Sequence, residues 1–224
     1  YFNSKQREHH LFLLRFEKNK YFFSSSPETL FCIDNGNIEV DSIAGTRPSS
    51  DNKRLDKKLE LELLSNAKEL KEHRYVSDFL TSVLPEICDS FQQSTKESIL
   101  KLKNVQHIYG KFIGKLKSKT NFLDALNILH PTPAVSGFPQ ENSIDIISSI
   151  ESYDRGLYAG ACGYFTQSNS EYIVGIRSFY RDQQDIHVYA GAGLVDDSIA
   201  DKEWDEVSIK MKNFSFFWKQ SDAK

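Results

Sequence analysis

The spacing of apolar side chains between residues 55 and 85 constrains the fold of this chain more than any other feature. Side chains suited to a buried face recur there at three- and four-residue steps, at Leu59, Leu63, Ala67, Leu70, His73, Val76, Leu80 and Leu84. This spacing is typical of an amphipathic helix. We therefore expect one long helix that begins near Leu55 and ends near Pro85, because proline cannot continue the hydrogen bonding of a helix.

Two hairpins are predicted before this helix. Residues 11–16 and 20–23 are rich in apolar side chains and flank a polar turn, which indicates a first hairpin. Residues 30–33 and 37–40 flank Asp34-Asn35-Gly36, and the Asn-Gly pair is typical of a tight hairpin turn.

After the long helix, strands and helices are mixed. We predict a strand at 104–112 inside a polar stretch, helices at 121–129 and 144–152, and strands at 160–166, 171–179 and 185–190. The two prolines of residues 130–133 exclude a helix there. A final helix at 199–218 is expected to begin at a capping box of Ser198 and Asp201. Its predicted apolar face consists of Trp204, Val207, Met211, Phe214 and Trp218. The order of elements predicts one α+β domain over residues 1–224.

Composition argues against several classes of function. The chain has 224 residues, 39% of them hydrophobic, which is enough for a buried core. Its formal net charge is −3, and the basic residues between Lys111 and Lys119 are interpreted as a solvated surface, so no nucleic-acid partner is expected. No apolar run reaches the length of a bilayer and no signal peptide is evident, so no membrane association is expected. Three widely spaced cysteines form no disulfide framework, which favours the cytoplasm.

Carboxylates and a lysine share one face of the final helix. Glu203, Glu206 and Lys210 are three and four residues apart, and Glu69 and Glu72 repeat the spacing on the long helix. One interpretation is a solvated face with an ordinary Glu–Lys pair. The other is that two helices share a hard divalent cation such as Mg²⁺, which prefers carboxylate oxygens.

Two further features allow either a structural or a ligand-binding interpretation. Gly191 and Gly193 follow a predicted strand, and small residues let backbone N–H groups approach an anion, although glycines also serve as plain turn residues. Arg177 lies within an apolar predicted strand, where a charge is costly unless it is paired. Its partner would be either a carboxylate of the protein or a carboxylate of a ligand.

These features belong to a series of short motifs in a fixed order. The series consists of Ser26-Pro27-Glu28, Ile43-Ala44-Gly45-Thr46-Arg47-Pro48, Lys71-Glu72-His73, Gln106-His107, His130-Pro131-Thr132-Pro133-Ala134-Val135-Ser136-Gly137, Asp154-Arg155-Gly156-Leu157-Tyr158-Ala159-Gly160, Ile176-Arg177-Ser178, Tyr189-Ala190-Gly191-Ala192-Gly193, and Glu203-Trp204-x-Glu206-x3-Lys210. From about residue 20 to about residue 212, the chain resembles the chorismate-binding enzymes, which include isochorismate, salicylate, anthranilate and aminodeoxychorismate synthases. The resemblance implies an α+β fold of antiparallel β-sheets with outer helices. This chain would supply its C-terminal portion, without the N-terminal strands.

The resemblance also implies a metal site. The positions that match the family's Mg²⁺ ligands are Glu72 and Glu206, and Glu69 and Glu203 would assist directly or through water. The metal would bind the ring carboxylate of chorismate, since a dianion needs a cation between itself and these side chains.

The second carboxylate of chorismate, on the enolpyruvyl arm, is implied to have its own binding groups. These are Arg177, Tyr158 and the backbone N–H groups around Gly191 and Gly193.

Three residues are implied to act near the reacting ring. Glu28 matches the general acid, which would protonate the leaving C4 hydroxyl while water attacks C2. Its pKa would have to be raised by partial burial and nearby negative charge. Lys210 resembles the family's active-site lysine, and His107 matches a histidine close to the ring.

The segment from His130 to Val135 favours one reaction within the family. It resembles isochorismate synthases, whereas the ammonia-using members carry a different continuation and salicylate synthases usually have threonine where this chain has Ala134. The implied reaction is therefore the Mg²⁺-dependent isomerisation of chorismate to isochorismate, which supplies quinone or siderophore synthesis. Salicylate synthase, anthranilate or aminodeoxychorismate synthase component I, and a non-catalytic chorismate-binding fragment are the alternatives.

One motif of the family has no counterpart in these residues. The general base is a lysine in a Lys-Val-Val-x-x-Arg-like strand well upstream of the acid, and Lys5, Lys18 and Lys20 stand in different contexts. We therefore expect these 224 residues alone to lack water activation and to expose unpaired sheet edges. The partner that would complete them is the N-terminal portion of the same enzyme.

Overall fold

The chain forms two antiparallel β-sheets with helices packed on them. In a computed structural model, which describes residues 9–215, the strands in chain order are β1 (His10–Glu17), β2 (Lys20–Ser26), β3 (Thr29–Asp34), β4 (Asn37–Pro48), β5 (Cys88–Lys101), β6 (Val105–Leu116), β7 (Ala161–Phe165), β8 (Asn169–Val174), β9 (Ser178–Asp182) and β10 (Asp185–Tyr189). One sheet has the order β1-β2-β9-β10 and the other β5-β6-β4-β3-β8-β7. The predicted α+β class with antiparallel sheets is confirmed.

Both predicted hairpins are present. β1 pairs with β2, and β3 pairs with β4. Asn35 and Gly36 in the second turn have φ angles of 49° and 79°, the left-handed conformation that a two-residue hairpin turn requires at both central positions.

The predicted long helix is two helices. The helices in chain order are α1 (Lys53–Ser65), α2 (Ala67–Ile87), α3 (Phe122–Leu129), α4 (Pro133–Ser136), α5 (Gln140–Ile150) and α6 (Ala200–Met211), and a 3₁₀ turn at Lys212–Phe214 follows α6. Asn66 interrupts the first pair with an extended backbone, and its side chain caps α2 by accepting from the N–H of Glu69. Periodicity alone could not show this break, because the apolar spacing continues across it.

One strand prediction is wrong, one strand was not predicted, and one prediction is confirmed. The predicted strand at 171–179 is two strands, β8 and β9, which belong to different sheets. The polar stretch before residue 104 is the 14-residue strand β5, which lies at a sheet edge and so needs few apolar side chains. The predicted strand at 104–112 is confirmed as β6, which extends to Leu116 and so includes Lys111 and Lys115.

Predictions at two helix starts also need correction. Pro133 is the first residue of the short α4, a position where its missing N–H costs nothing. Ser198 and Asp201 form no capping box, because α6 is capped by Ile199 without a side-chain bond and the Ser198 hydroxyl accepts from the N–H of Val195.

The predicted apolar face of the last helix is only partly buried. Phe214 is buried, but Trp204 is 70% exposed, and Trp218 lies outside the described residues. The buried residue of α6 is Glu203. A carboxylate, rather than the tryptophan, therefore faces the body of the protein.

The main core lies between α2 and the six-stranded sheet. Val76, Leu80 and Leu84 of α2 pack with Phe31 of β3 and Phe112 of β6, and all five are almost fully buried. Each such side chain contributes roughly 1.5–3 kcal/mol through burial. This packing fixes the first turn of α2 beside β4, where several of the predicted site residues lie.

The edge strand β1 carries an exposed apolar face. Leu11, Leu13 and Phe16 are each more than half exposed, and β1 lies at the edge of the four-stranded sheet. Among residues 9–215, no helix combines the length and the apolarity that crossing a membrane requires.

Candidate active site

A cavity of about 160 Å³ opens where the two sheets meet α2 and α6. Nine of the residues predicted from sequence line it: Glu28, Glu72, His107, Ala134, Tyr158, Arg177, Gly191, Gly193 and Lys210. Of the other three, Glu206 pairs with Lys210, whereas Glu69 and Glu203 pair with Lys68, which also pairs with Glu72. Residues spread over more than 180 positions are thus brought into one region.

Glu28 and Arg177 lie at the two places where the chain passes between the sheets. Glu28 lies where the chain passes from β2 of the four-stranded sheet to β3 of the six-stranded sheet. Arg177 lies where it returns from β8 of the six-stranded sheet to β9 of the four-stranded sheet. The N–H of Val174 donates to the carbonyl oxygen of Glu28 at 3.2 Å, so the two crossings are adjacent. This topology places a carboxyl group and a guanidinium group at the same end of the cavity.

The Glu28 carboxyl is held in its protonated form near neutral pH. It is 3% exposed, and its Oε1 accepts no hydrogen bond from any residue that the structure describes. Burial raises its pKa to about 8, the negative charge of Asp41 adds to this, and Lys210 and Arg177 oppose it. The burial and the neighbouring negative charge expected from sequence are both present.

Arg177 is buried and remains a cation. Burial lowers its pKa to about 10, against the opposing charges of Glu206 and Glu28. Its backbone has a φ angle of 51°, which is unusual for a residue other than glycine. Hydrogen bonds from the Ser25 N–H to the Arg177 carbonyl (3.0 Å) and from the Ser24 hydroxyl to the Ile176 carbonyl (2.7 Å) hold this conformation.

His107 contacts Arg177 directly. Nη2 of Arg177 donates to Nε2 of His107 at 2.7 Å, so the proton of the imidazole resides on Nδ1, which lies 3.2 Å from the carbonyl oxygen of Gly45. Burial, and then the charges of Arg177 and Lys210, lower the pKa of His107 well below its usual value. His107 is therefore neutral and acts as an acceptor toward the arginine.

Four carboxylates from α2 and α6 form a cluster beside the cavity. Glu69 and Glu72 come from the first turns of α2, and Glu203 and Glu206 come from α6. Burial raises the pKa of Glu72 to about 7, against Lys68, and the charges of Glu206 and Glu69 raise it further. The cluster is therefore rich in negative charge that water screens poorly.

Glu69 is engaged by protein donors on both oxygens. Its Oε2 accepts from the N–H of Thr46 at 2.8 Å, and its Oε1 accepts from Nη1 of Arg47 at 2.6 Å. These bonds fasten α2 to the end of β4. Among the four carboxylates, Glu69 thus has a clear structural task.

Lysine ammonium groups lie between the remaining carboxylates. Nζ of Lys68 is 2.9 Å from Glu203, 3.5 Å from Glu72 and 3.6 Å from Glu69. Nζ of Lys210 is 2.7 Å from Oε1 of Glu206 and donates to the carbonyl oxygen of Gly191 at 2.8 Å. Burial opposes the charge of Lys68, but the hydrogen bond to Glu203 and the nearby carboxylates together raise its pKa.

The donor chemistry of this cluster fits a hard divalent cation, since carboxylate oxygens from two helices face one another. The observed arrangement is centred on the ammonium groups instead. Within residues 9–215, no group of three or more histidine, cysteine, aspartate or glutamate side chains is set around a point that could hold a metal ion. A cation would therefore have to take the place of an ammonium group.

Gly191 and Gly193, in the loop after β10, lie in close contact with two side chains of the site. A Cβ atom on Gly193 would meet the carboxylate of Glu72, and one on Gly191 would lie 2.7 Å from the hydroxyl of Tyr158. A side chain at either position would therefore push the Glu72 carboxylate or the Tyr158 hydroxyl aside. From the sequence, these glycines were expected either to bind an anion or to serve as turn residues, and the close contacts with Glu72 and Tyr158 were not predicted.

Tyr158 forms one wall of the cavity. Its ring stacks on Tyr189 with centroids 5.1 Å apart, and burial raises its pKa to about 12.

Arg155 also lines the cavity, although no role was predicted for it from the sequence. It binds Glu151 through two hydrogen bonds and also donates to the carbonyl oxygen of Val135. Arg155 thereby fixes the α4 segment against the cavity. Its motif was noted in the sequence, but a structural arginine there has no distinct pattern.

Lys68 and Thr46 were also missed. Thr46 donates its N–H to Glu69, and its hydroxyl lies 3.1 Å from Nδ1 of His107, so it connects the carboxylate cluster to the His107–Arg177 pair. A lysine at the start of an amphipathic helix gives no signal of its own. The ion pairs of Lys68 include Glu203 of α6, which is more than 130 residues away in sequence.

Comparisons with known proteins agree with this architecture. A family model described as chorismate binding enzyme matches residues 1–216. Anthranilate synthase component 1 of Saccharolobus solfataricus is 37% identical over 206 residues, covering 91% of this chain and 49% of that protein. The chloroplastic isochorismate synthase of Catharanthus roseus is 35% identical over 214 residues, covering 95% of this chain and 37% of that protein.

A solved structure has the same fold. The menaquinone-specific isochorismate synthase from Escherichia coli superposes with a TM-score of 0.84 at 27% identity, covering 92% of this chain and 47% of that one. The chain belongs to the chorismate-binding enzyme family. It spans about half of the length, or less, of the relatives that it matches.

Proposed function

We propose that this chain carries the acid, substrate-binding and metal-binding groups for the Mg²⁺-dependent isomerisation of chorismate to isochorismate. The observation that carries the proposal is the Glu28 carboxyl, which is buried and protonated near neutral pH at the edge of the cavity that Arg177 and Glu72 also line. A neutral carboxyl in such a place can donate a proton to a leaving group.

The proposed reaction is an allylic substitution in the chorismate ring. A C–O bond forms between water and C2, the ring double bond shifts, and the C–O bond at C4 breaks. Glu28 gives its proton to the departing hydroxyl, which leaves as water, and the attacking water loses a proton to a general base. Oxygen and hydrogen are therefore balanced, and no redox step occurs.

The two carboxylates of the substrate would be bound at opposite sides of the cavity. Arg177 supplies a buried cation for the enolpyruvyl carboxylate, with Tyr158 and the loop N–H groups beside it. The ring carboxylate would lie toward Glu72 and Glu206, which needs a divalent cation. When bound, Mg²⁺ would neutralise these charges and polarise the ring carboxylate.

The base that activates water is proposed to come from outside these 224 residues. Lys210 is the one lysine among the described residues that line the cavity, and it is engaged by Glu206 and Gly191. Lys20 lies at the β1–β2 turn, where it pairs with Asp182 at 3.5 Å, and Lys5 lies outside the described residues. We therefore expect the isolated chain to bind substrate without turning it over.

Anthranilate synthesis is the second candidate, favoured by the 37% identity to the archaeal anthranilate synthase component 1. Both reactions lose the C4 hydroxyl, so Glu28 would serve either. They differ in the nucleophile at C2 and in the later loss of pyruvate. Ala134, which lines the cavity without a hydroxyl group, supports the water reaction.

Product analysis tests the proposal. Chorismate and Mg²⁺ are incubated with the chain alone, and with the chain plus the portion of the Catharanthus roseus isochorismate synthase that precedes its matched region, each with and without ammonium. We expect isochorismate in the second mixture regardless of ammonium, and Glu28→Gln should lower its formation by roughly a hundredfold or more. The matched control, Glu62→Gln, removes an exposed carboxylate on α1.

Several outcomes would contradict the proposal. An aminated product that requires ammonium would support the second candidate. Undiminished turnover by Glu28→Gln would remove Glu28 from the mechanism, and turnover by the chain alone would show that its own residues supply the base. Binding of chorismate without turnover in either mixture would indicate a non-catalytic chorismate-binding protein.

A further inference from the structure

Lys68 contacts three of the four carboxylates in the cluster, and Lys210 binds the fourth, Glu206. It is the second residue of α2, and its ammonium group contacts Glu69 and Glu72 on its own helix and Glu203 on α6. Its side chain is only 15% exposed. Lys68 is therefore the side chain that joins the carboxylates of the two helices.

This position is the one that a metal ion would need. Glu72 and Glu203 are both proposed metal residues, and both contact the same ammonium nitrogen. A divalent cation bound to these oxygens would lie within a few ångströms of that nitrogen, in a place where water screens charge poorly. Two cations cannot occupy such neighbouring positions without strong repulsion.

The same contact gives Lys68 a task in the metal-free protein. Without a counter-charge, the buried carboxylates of α2 and α6 would repel one another, and unpaired buried charges are strongly destabilising. The ammonium group neutralises part of this charge and keeps α6 in place against α2. It therefore assembles the site before the metal arrives.

We propose that Lys68 is a built-in substitute for the metal ion, and that a divalent cation binds by displacing its ammonium group from Glu72 and Glu203. This inference rests on the proposed Mg²⁺ site. Its consequence is that Lys68 weakens metal binding and stabilises the metal-free fold. Lys68 is a positioning residue in this scheme, because it acts through the carboxylates.

Calorimetric titration of the 224-residue chain with Mg²⁺ alone tests the inference. Lys68→Met should bind Mg²⁺ roughly threefold to tenfold more tightly than the unaltered chain, because the competing charge is gone. Lys71→Met is the matched control, since Lys71 lies on the same helix but pairs with the exposed Asp196 at 3.3 Å. Its affinity for Mg²⁺ should stay within about twofold of the unaltered chain.

A second measurement uses the unaltered chain and so does not depend on a variant that folds. The rate at which an acetylating reagent modifies Lys68 is followed by mass spectrometry with and without Mg²⁺, and Lys71 serves as the internal reference. Displacement predicts severalfold faster modification of Lys68 at saturating Mg²⁺ and no change at Lys71.

The outcomes separate the two proposals. If the unaltered chain binds no Mg²⁺, the proposed metal site fails, and this inference fails with it. If the chain binds Mg²⁺ but Lys68→Met binds it no more tightly, or Mg²⁺ leaves the modification of Lys68 unchanged or slower, the inference alone is overturned.

Discussion

Arg177 donates a hydrogen bond from Nη2 to Nε2 of His107 at 2.7 Å, and both side chains are buried. Because Nε2 is the acceptor, His107 cannot use that atom to donate to a substrate in this arrangement. The imidazole instead orients the guanidinium group, whose remaining N–H groups are left for a carboxylate. The histidine assigned to the ring region by resemblance thus acts first on the arginine.

Loss of His107 should therefore weaken substrate binding. His107→Leu removes the acceptor and should raise the dissociation constant of chorismate in the presence of Mg²⁺ by roughly tenfold to a hundredfold, the cost of a lost hydrogen bond to a charged group. His107→Gln retains an acceptor and should recover part of the affinity. His187→Leu, on exposed β10, is the control. Unchanged affinity in His107→Leu would show that Arg177 needs no such support.

The raised pKa of Glu28 predicts a pH-dependent stability. With a pKa of about 8 in the folded state and about 4.5 in the unfolded chain, the folded state binds more protons between these values. The contribution of Glu28 to stability is therefore fully present below pH 4.5 and is lost as the pH rises toward 8. Glu72, whose pKa is raised to about 7, contributes in the same direction.

Glu28→Gln should remove the Glu28 part of this loss. Urea unfolding at pH 5, 7 and 8.5 should show the variant gaining on the unaltered chain as pH rises, by roughly 5 kcal/mol at most. The exposed-site variant Glu62→Gln should show no such gain. A constant difference between Glu28→Gln and the unaltered chain across the pH range would mean that Glu28 is ionised in the folded state.

The two loop glycines give a paired test of the site. Gly193→Ala would push against the Glu72 carboxylate and should lower Mg²⁺ affinity severalfold, whereas Gly191→Ala would push against the Tyr158 hydroxyl and should leave Mg²⁺ affinity unchanged. Calorimetry with Mg²⁺ alone measures both. Equal effects of the two substitutions would show that the loop acts as a unit rather than through these separate contacts.

The residues that lie together at the cavity were easier to predict from the sequence than the bounds of the helices and strands on which they lie. The order of the motifs indicated that Glu28, Glu72, Arg177 and Lys210 lie in one site. Each motif can be recognised from a few adjacent residues, and the fold of the family determines how far apart the motifs lie in space. The apolar periodicity did not predict the end of one helix and the start of the next at Asn66, because the apolar spacing continues across that residue. It failed also where an apolar run crossed between two sheets, as on either side of Arg177.

Contacts between distant segments were the least accessible from sequence. Lys68 forms an ion pair with Glu203, and Gly193 lies in close contact with Glu72. Neither pair has a spacing rule, since the partners lie on different elements. Trp204 was placed in the apolar face because it is large and apolar, yet Glu203 is the buried residue, held there by Lys68.

The proposed function requires the cavity to bind chorismate through Arg177 and a divalent cation together. Calorimetric titration of the 224-residue chain with chorismate, in Mg²⁺ and again in a chelator, tests it most directly. Binding should require Mg²⁺, and it should be lost or greatly weakened in Arg177→Met. Equal affinity with and without Mg²⁺, full affinity in Arg177→Met, or no binding under either condition would contradict it.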